Sequence, residues 1–291
     1  MNNQIYVNIS PGITIESLSR ELAAAKAWGF DGVELSFDAF PFIISGRINK
    51  PYVVLLQNIL KDFDFTYSAH IGTGMDLRSK DSLPLHINVL ESSIDICAEL
   101  GLNPLVLHYE NNSGDKDIED QFIKCHAQSA EYALKRSVSL GLENIEIEHY
   151  KPVLEAIREI NHPNLTMVLD TGHLYLSAKY FKFSFEDAII DCAPYVSHCH
   201  LSDNTGIFEQ MRLDNFDLYR TLPMAYRIAY GRGDIHMPPL YCDVPFPFVI
   251  NELKKINFSG IYVCEYQYRL FENFNTEICK SVRNLIENDH K

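Results

Sequence analysis

The 291-residue sequence predicts one (β/α)8 barrel, an α/β fold spanning residues 1–291 as a single domain. Three observations lead there. Short β-rich runs alternate with helical stretches, as parallel βαβ units require. Eight such runs can be counted along the chain. The length suits a barrel of this kind, which typically takes about 250 residues, with modest insertions. An open doubly wound sheet is the competing architecture, but no G-x-G-x-x-G follows the first run.

In order, the expected strands are QIYVNIS (4–10), GVELSF (32–37), FTYSAHI (65–71), PLVLHY (104–109), NIEIEHY (144–150), LTMVLD (165–170), YVSHCHLS (195–202) and GIYVCEY (260–266). Amphipathic segments lie between most of them. The clearest, IESLSRELAAAKAWGF (15–30) and LHINVLESSIDICAELG (85–101), each finish near a glycine, as helix C-termini do. Segment 204–233 is long for a loop and carries Arg212, Arg220, Arg227 and Arg232 with several tyrosines. It reads either as a helical excursion with solvated arginines or as a lid that offers a cation or a ring to a substrate. Glu209, Asp214 and Asp217 argue against a phosphate clamp there.

Composition bounds the function. Apolar residues make up 46%, enough for a sizeable core, and no apolar run approaches the roughly 18 residues of a membrane helix. The start, MNNQIYVNIS, has neither the basic nor the apolar region of a secretory signal. Seven cysteines, none spaced C-x-x-C, disfavour a disulfide framework and a cysteine zinc site, and point to a reduced, cytoplasmic setting. A net charge of −14 disfavours a nucleic-acid partner, because phosphate contacts supply most of such affinity. Nothing in the sequence decides whether the chain forms a homo-oligomer.

In a (β/α)8 barrel the active site lies at the C-terminal ends of the strands. The third expected strand ends in His70, the fourth in His108 and the fifth in Glu148. The sixth delivers Asp170 and then His173, the seventh His200 and Asp203, and the eighth Glu265. GRGDIHMPP adds Asp234 and His236 between the last two strands. Singly, each has a bland explanation as a cap or a hydrogen-bonded structural group. Collected at one rim they do not, because charged groups are rarely buried unless paired or metal-bound. A His/Asp/Glu set without cysteine suits zinc, manganese or iron(II). Glu146 shares parity with Glu148, and His198 with His200. The deeper member of each pair is expected one layer down, while Cys199 and Cys264 face outward.

The phrases GFDGVELS, AHIGTGMDLRS, ICAELGLNPLVLH, IEIEH, VLDTGH, HLSDN and GDIHMPP occur in an order that resembles the xylose isomerase-like TIM barrel superfamily. That superfamily includes endonuclease IV and many sugar isomerases and epimerases. The resemblance implies one to three divalent ions, zinc or manganese. One ion would take His70, His108 and Glu148; a second Glu148, Asp170, His200 and Glu265; a third His173, Asp234 and His236. The sugar branch keeps mainly the second group. There the counterparts of Glu148 and Glu265 move protons, and His173 or an arginine of 204–233 would orient the substrate. Two departures stand out. Tyr109-Glu110-Asn111 replaces the Pro-Gly often found after the histidine at His108, and DIHMPP is closer to the sugar branch.

The expected function is therefore a metal-dependent sugar or sugar-phosphate isomerase or epimerase. It would act on a small sugar-like substrate by proton transfer through an enediolate. The alternatives are an endonuclease IV-like phosphodiester hydrolase acting at abasic DNA and a dehydratase of a sugar-like acid.

Overall fold

A computed structural model describes residues 3–9, 14–72 and 74–288. In chain order the elements are β1 (Gln4–Ile9), α1 (Ile15–Trp28), β2 (Gly32–Ser36), the short hairpin β3 (Ile43–Ile44) and β4 (Arg47–Ile48), α2 (Lys50–Leu60), β5 (Thr66–Ile71), α3 (Leu83–Leu100), β6 (Leu102–His108) and α4 (Lys116–Leu134). Then come β7 (Leu140–Glu143), α5 (Tyr150–Ile160), β8 (Leu165–Asp170), α6 (Thr171–Phe181), α7 (Phe185–Cys192) and β9 (Val196–Leu201). The chain closes with α8 (Met211–Asp214), α9 (Phe216–Tyr219), α10 (Met224–Tyr230), α11 (Phe246–Lys255), β10 (Ile261–Cys264) and α12 (Asn275–Glu287). The strands β1, β2, β5, β6, β7, β8, β9 and β10 pair in that order and close on β1, every pair parallel.

The local causes are visible in the sequence. Barrel strands are covered by helices outside and filled by side chains inside, so they read as near-continuous apolar runs. The helices carry a buried stripe instead. In α5 it is Tyr150, Val153, Leu154, Ile157 and Ile160, the spacing of one helix face. At the start of α1, Thr14 and Ser17 form a reciprocal capping box, and Gly29 closes the helix at φ 96°.

Seven of the eight expected runs coincide with barrel strands to within a few residues; Ser10, the last residue expected in the first, lies outside the described residues. The fifth requires a correction. NIEIEHY is not a strand: the strand is the four-residue LGLE just before it, and 144–149 forms the loop leading to α5. Ile145 and Ile147 are buried as loop anchors, which creates a false alternation of apolar and charged residues.

Segment 204–233 leaves the barrel between β9 and α11 and carries α8, α9 and α10. Its two ends are tied at a neck. Thr205 Oγ1 donates to Gly231 O at 2.6 Å and Asn204 Nδ2 to Gly233 O at 3.2 Å. Neither α8 nor α10 buries a residue. All seven cysteines are free, and among the described residues no helix is long and apolar enough to cross a membrane.

The closure of the barrel depends on β10 lying flat against β9. At Gly260, where the chain enters β10, a Cβ would overlap the carbonyl oxygen of Ser197. Gly260→Ala is expected to destabilise the fold by about 1–3 kcal/mol, the usual range for overpacking, read as a lower thermal midpoint. An unchanged midpoint would contradict this packing.

Candidate metal centre

The register of the barrel puts acidic and imidazole groups side by side at its C-terminal mouth. His108 on β6 is paired across the ladder with Glu143 on β7, and Asp170 on β8 with His200 on β9. His70 sits one residue before the end of β5, and Glu265 follows β10. Glu143, Asp170, His200 and Glu265 each offer a ligand atom, and these atoms lie within 4.8 Å of one another. So do those of His70, Glu143 and His200, and those of His173, Asp234 and His236.

Glu143 is the hub. Its Oε2 is 3.2 Å from His70 Nε2 and 3.7 Å from His108 Nε2; its Oε1 is 3.3 Å from His200 Nδ1 and 3.4 Å from His173 Nδ1. His200 Nδ1 also lies 2.7 Å from Glu265 Oε2. On the outer side of the mouth, Asp234 Oδ2 stands 2.7 Å from His236 Nε2 and 3.4 Å from His173 Nε2.

These contacts correct the assignment of Glu148. It lies beyond the true strand, where its carboxylate accepts from the backbone N–H of Asn112 and of His149. The carboxylate that meets the histidines is Glu143. Glu146 is likewise not a deeper layer of the cluster: it pairs with Arg212 Nε at 2.6 Å. Asp203 accepts the backbone N–H groups of Asn204, Cys242 and Val244 and so anchors the chain after the excursion. The other expected residues, His70, His108, Asp170, His173, His200, Asp234, His236 and Glu265, meet at the mouth, with His108 at its rim.

The VLDTGH turn shows how two such groups are delivered together. Asp170 ends β8 and caps α6, accepting from His173 N at 2.6 Å. Thr171 Oγ1 donates to the carbonyls of His200 and Ser202, lashing the turn to β9. At Gly172 any Cβ would overlap Ser202 Oγ, which itself donates to both Asp170 oxygens. The first helical turn then places His173 over the mouth.

Besides Glu143, a further buried charged residue of this cluster is absent from the set the sequence suggests. Glu34 on β2, fully buried, accepts from Asn8 Nδ2, Ser68 Oγ and His198 Nε2 and lies 3.1 Å from His200 Nε2. Its signal is a single glutamate in the apolar run GVELS. For Glu143 the signal is the pattern of LVLH and MVLD repeated in LGLE: an apolar run closed by a ligand.

Several buried atoms here have no hydrogen-bond partner among the described residues: His70 Nε2, both oxygens of Glu143, both nitrogens of His200, Asp234 Oδ1 and Glu265 Oε2. Buried polar atoms are normally satisfied. Converging nitrogen and oxygen donors with unspent lone pairs fit a divalent cation such as zinc or manganese. Without an ion, the groups of the cluster compensate one another's charge. Burial, reinforced by the charges of Glu143 and Glu265, pushes Asp170 up to about 6. Burial also opposes charge on Glu143, but His200, His70 and His108 outweigh it and hold the carboxyl well below its ordinary range.

Comparison with known proteins places the chain. The family model for the xylose isomerase-like TIM barrel matches residues 22–287. The protein belongs to that family. Among solved structures it resembles D-allulose 3-epimerase from Methylomonas sp., with a TM-score of 0.70 and 14% identity over 98% of both chains. It also resembles D-psicose 3-epimerase from Clostridium cellulolyticum H10, with a TM-score of 0.68 and 14% identity over 98% of this chain and 100% of the other. A third is the 3-keto-D-glucoside 4-epimerase of E. coli, with a TM-score of 0.64 and 13% identity over 96% and 99%. No curated protein sequence matches the chain.

The two glutamates are separated by experiment. Glu143→Gln should lower zinc or manganese affinity by at least about 100-fold, more than the loss of an outer-shell partner typically causes, while Glu148→Gln leaves it unchanged. Metal titration of the purified variants checks this. Retained affinity in Glu143→Gln would remove that residue from the centre.

Proposed function

We propose that the protein is a divalent-metal-dependent sugar isomerase or epimerase. The observation that carries this is the cluster of Glu143, Asp170, His200 and Glu265, delivered by four consecutive strands beneath a small polar cavity. The cavity measures about 260 Å³. That is just below the roughly 300 Å³ at which cavities for drug-sized ligands begin, so it suits a single small sugar. Its walls include Asn8, Ser36, Asp38, His173, Arg212 and Glu265, groups that donate to and accept from hydroxyls.

Each group has a role that follows from its place. Glu265 lines the cavity and is positioned to take a proton from the carbon next to a substrate carbonyl. Return of that proton to the other face of the same carbon is epimerisation; return to the neighbouring carbon is isomerisation. Glu143 flanks the Asp170–His200 pair from the other side and is the second carboxylate available for this exchange. His173, at the cavity wall, orients a substrate oxygen. A bound divalent cation would polarise the carbonyl and the adjacent hydroxyl.

Segment 204–233 acts as the lid. Arg212 lies 4.6 Å from the centre of the Phe216 ring and 5.9 Å from that of Tyr219, and all three line the cavity. The Arg212–Glu146 pair fastens this roof to the loop after β7. A roof of this kind leaves little room for a duplex, and the acidic total opposes one. The hydrolase reading is favoured by a separate feature, the second ligand group of His173, Asp234 and His236, since several metals together can activate water.

Incubation of the metal-loaded protein with ketoses in D2O should place deuterium at the carbon next to the carbonyl, and a chelator should abolish it. Cleavage of an abasic duplex without any sugar exchange would reverse the assignment. Glu265→Gln at saturating metal should lower kcat by about 10²- to 10⁴-fold, the usual contribution of a general acid–base. Arg212→Ala should instead lower kcat/KM by about tenfold or more, as expected for losing one charged hydrogen bond, with metal content unchanged.

A further inference from the structure

The first ligand group and the outer trio meet at one residue with no assigned role, Asn144. The β7–β8 ladder runs only as far as Glu143 opposite Val168. Beyond that point β7 peels away, while β8 continues through Leu169 to Asp170. The N–H and C=O of Asp170 both turn toward the side that β7 has left, and both are fully buried. Left alone they would be an orphaned backbone pair. The Asn144 side chain takes the place of the missing peptide: its Oδ1 accepts from Asp170 N at 3.0 Å, and its Nδ2 donates to Asp170 O at 3.0 Å. A carboxamide of this length offers a donor and an acceptor in that geometry whatever the pH.

The main chain of the same residue reaches the other group. His173 Nδ1 lies 3.1 Å from the carbonyl oxygen of Asn144. A carbonyl can only accept, so Nδ1 carries a proton, and Nε2, which faces Asp234 Oδ2 at 3.4 Å, is the nitrogen left to serve as a ligand atom once it is deprotonated.

We propose that Asn144 is the positioning residue of the metal centre. Its side chain fixes the spacing of Glu143 from Asp170 and its backbone carbonyl sets the tautomer of His173, so that one buried residue holds both ligand groups in register. The inference rests on the metal-binding character of the site and holds for either reaction.

Two variants and one spectrum test it. Asn144→Ala removes both side-chain bonds; Asn144→Asp keeps the acceptor and loses the donor. Zinc affinity is measured by chelator competition, beside the thermal midpoint of the metal-free protein. Both variants are expected to bind zinc about 10- to 100-fold more weakly, the range for residues that orient ligands, and affinity within about twofold of the parent in a folded variant overturns the proposal even if the midpoint falls. Should neither variant fold, the zinc-loaded parent still decides. Nitrogen NMR should find the His173 proton on Nδ1 and the metal on Nε2, and the reverse tautomer refutes the assignment.

Discussion

The architecture turns on one constraint: carboxylates and imidazoles are buried together at the mouth of a barrel, where water cannot compensate their charge. An unpaired ion there would be prohibitive, so each group is surrounded by groups of the opposite kind. Glu143 touches four histidines, His200 touches three glutamates, and Asp234 lies between two histidines. The buried nitrogen and oxygen atoms left without a hydrogen-bond partner are the ones a divalent ion could use. The rest of the molecule keeps these groups at fixed distances.

The barrel does this through its ladder. Parallel pairing sets His108 beside Glu143 and Asp170 beside His200 without help from any loop. Where the ladder ends, side chains replace it. Asn144 completes the backbone bonding of Asp170, while Thr171 and Ser202 cross-link the VLDTGH turn to β9. Glu34 closes the floor beneath His198 and His200. The excursion after β9 serves a different purpose. It buries little of its own surface and is held at its neck and through the Arg212–Glu146 pair, features that suit an element able to move.

The same organisation separates two levels of specificity. The candidate ligands Glu143, Asp170, His200 and Glu265 stand at or beside strand ends, whereas His173 lies on α6 and Asp234 and His236 follow the excursion. Part of the cavity wall, Arg212, Phe216, Tyr219 and Arg227, comes from the excursion, and the remainder comes from the barrel and its loops. The likeness to sugar epimerases at 13–14% identity is a likeness of fold; the case for sugar chemistry in this chain comes from the cluster and the size of its cavity.

The sequence by itself determined the barrel, because short β-rich runs separated by helical stretches are local signals and the runs recur eight times. It also singled out most of the candidate ligands, several of which close an apolar run at a strand end, as in LVLH and MVLD. It misled at the fifth strand. There the alternation of Ile145 and Ile147 with Glu146 and Glu148 imitates a half-buried strand more closely than the four residues of LGLE do. Only tertiary structure decided that Glu143 is the hub, since a two-sided buried strand of that length has no periodicity to read. It alone revealed Glu34, Asn144 and the Arg212–Glu146 pair. The partners of these groups lie between 26 and 164 residues away in the chain, and distance in sequence carries no information about which buried polar groups must satisfy one another.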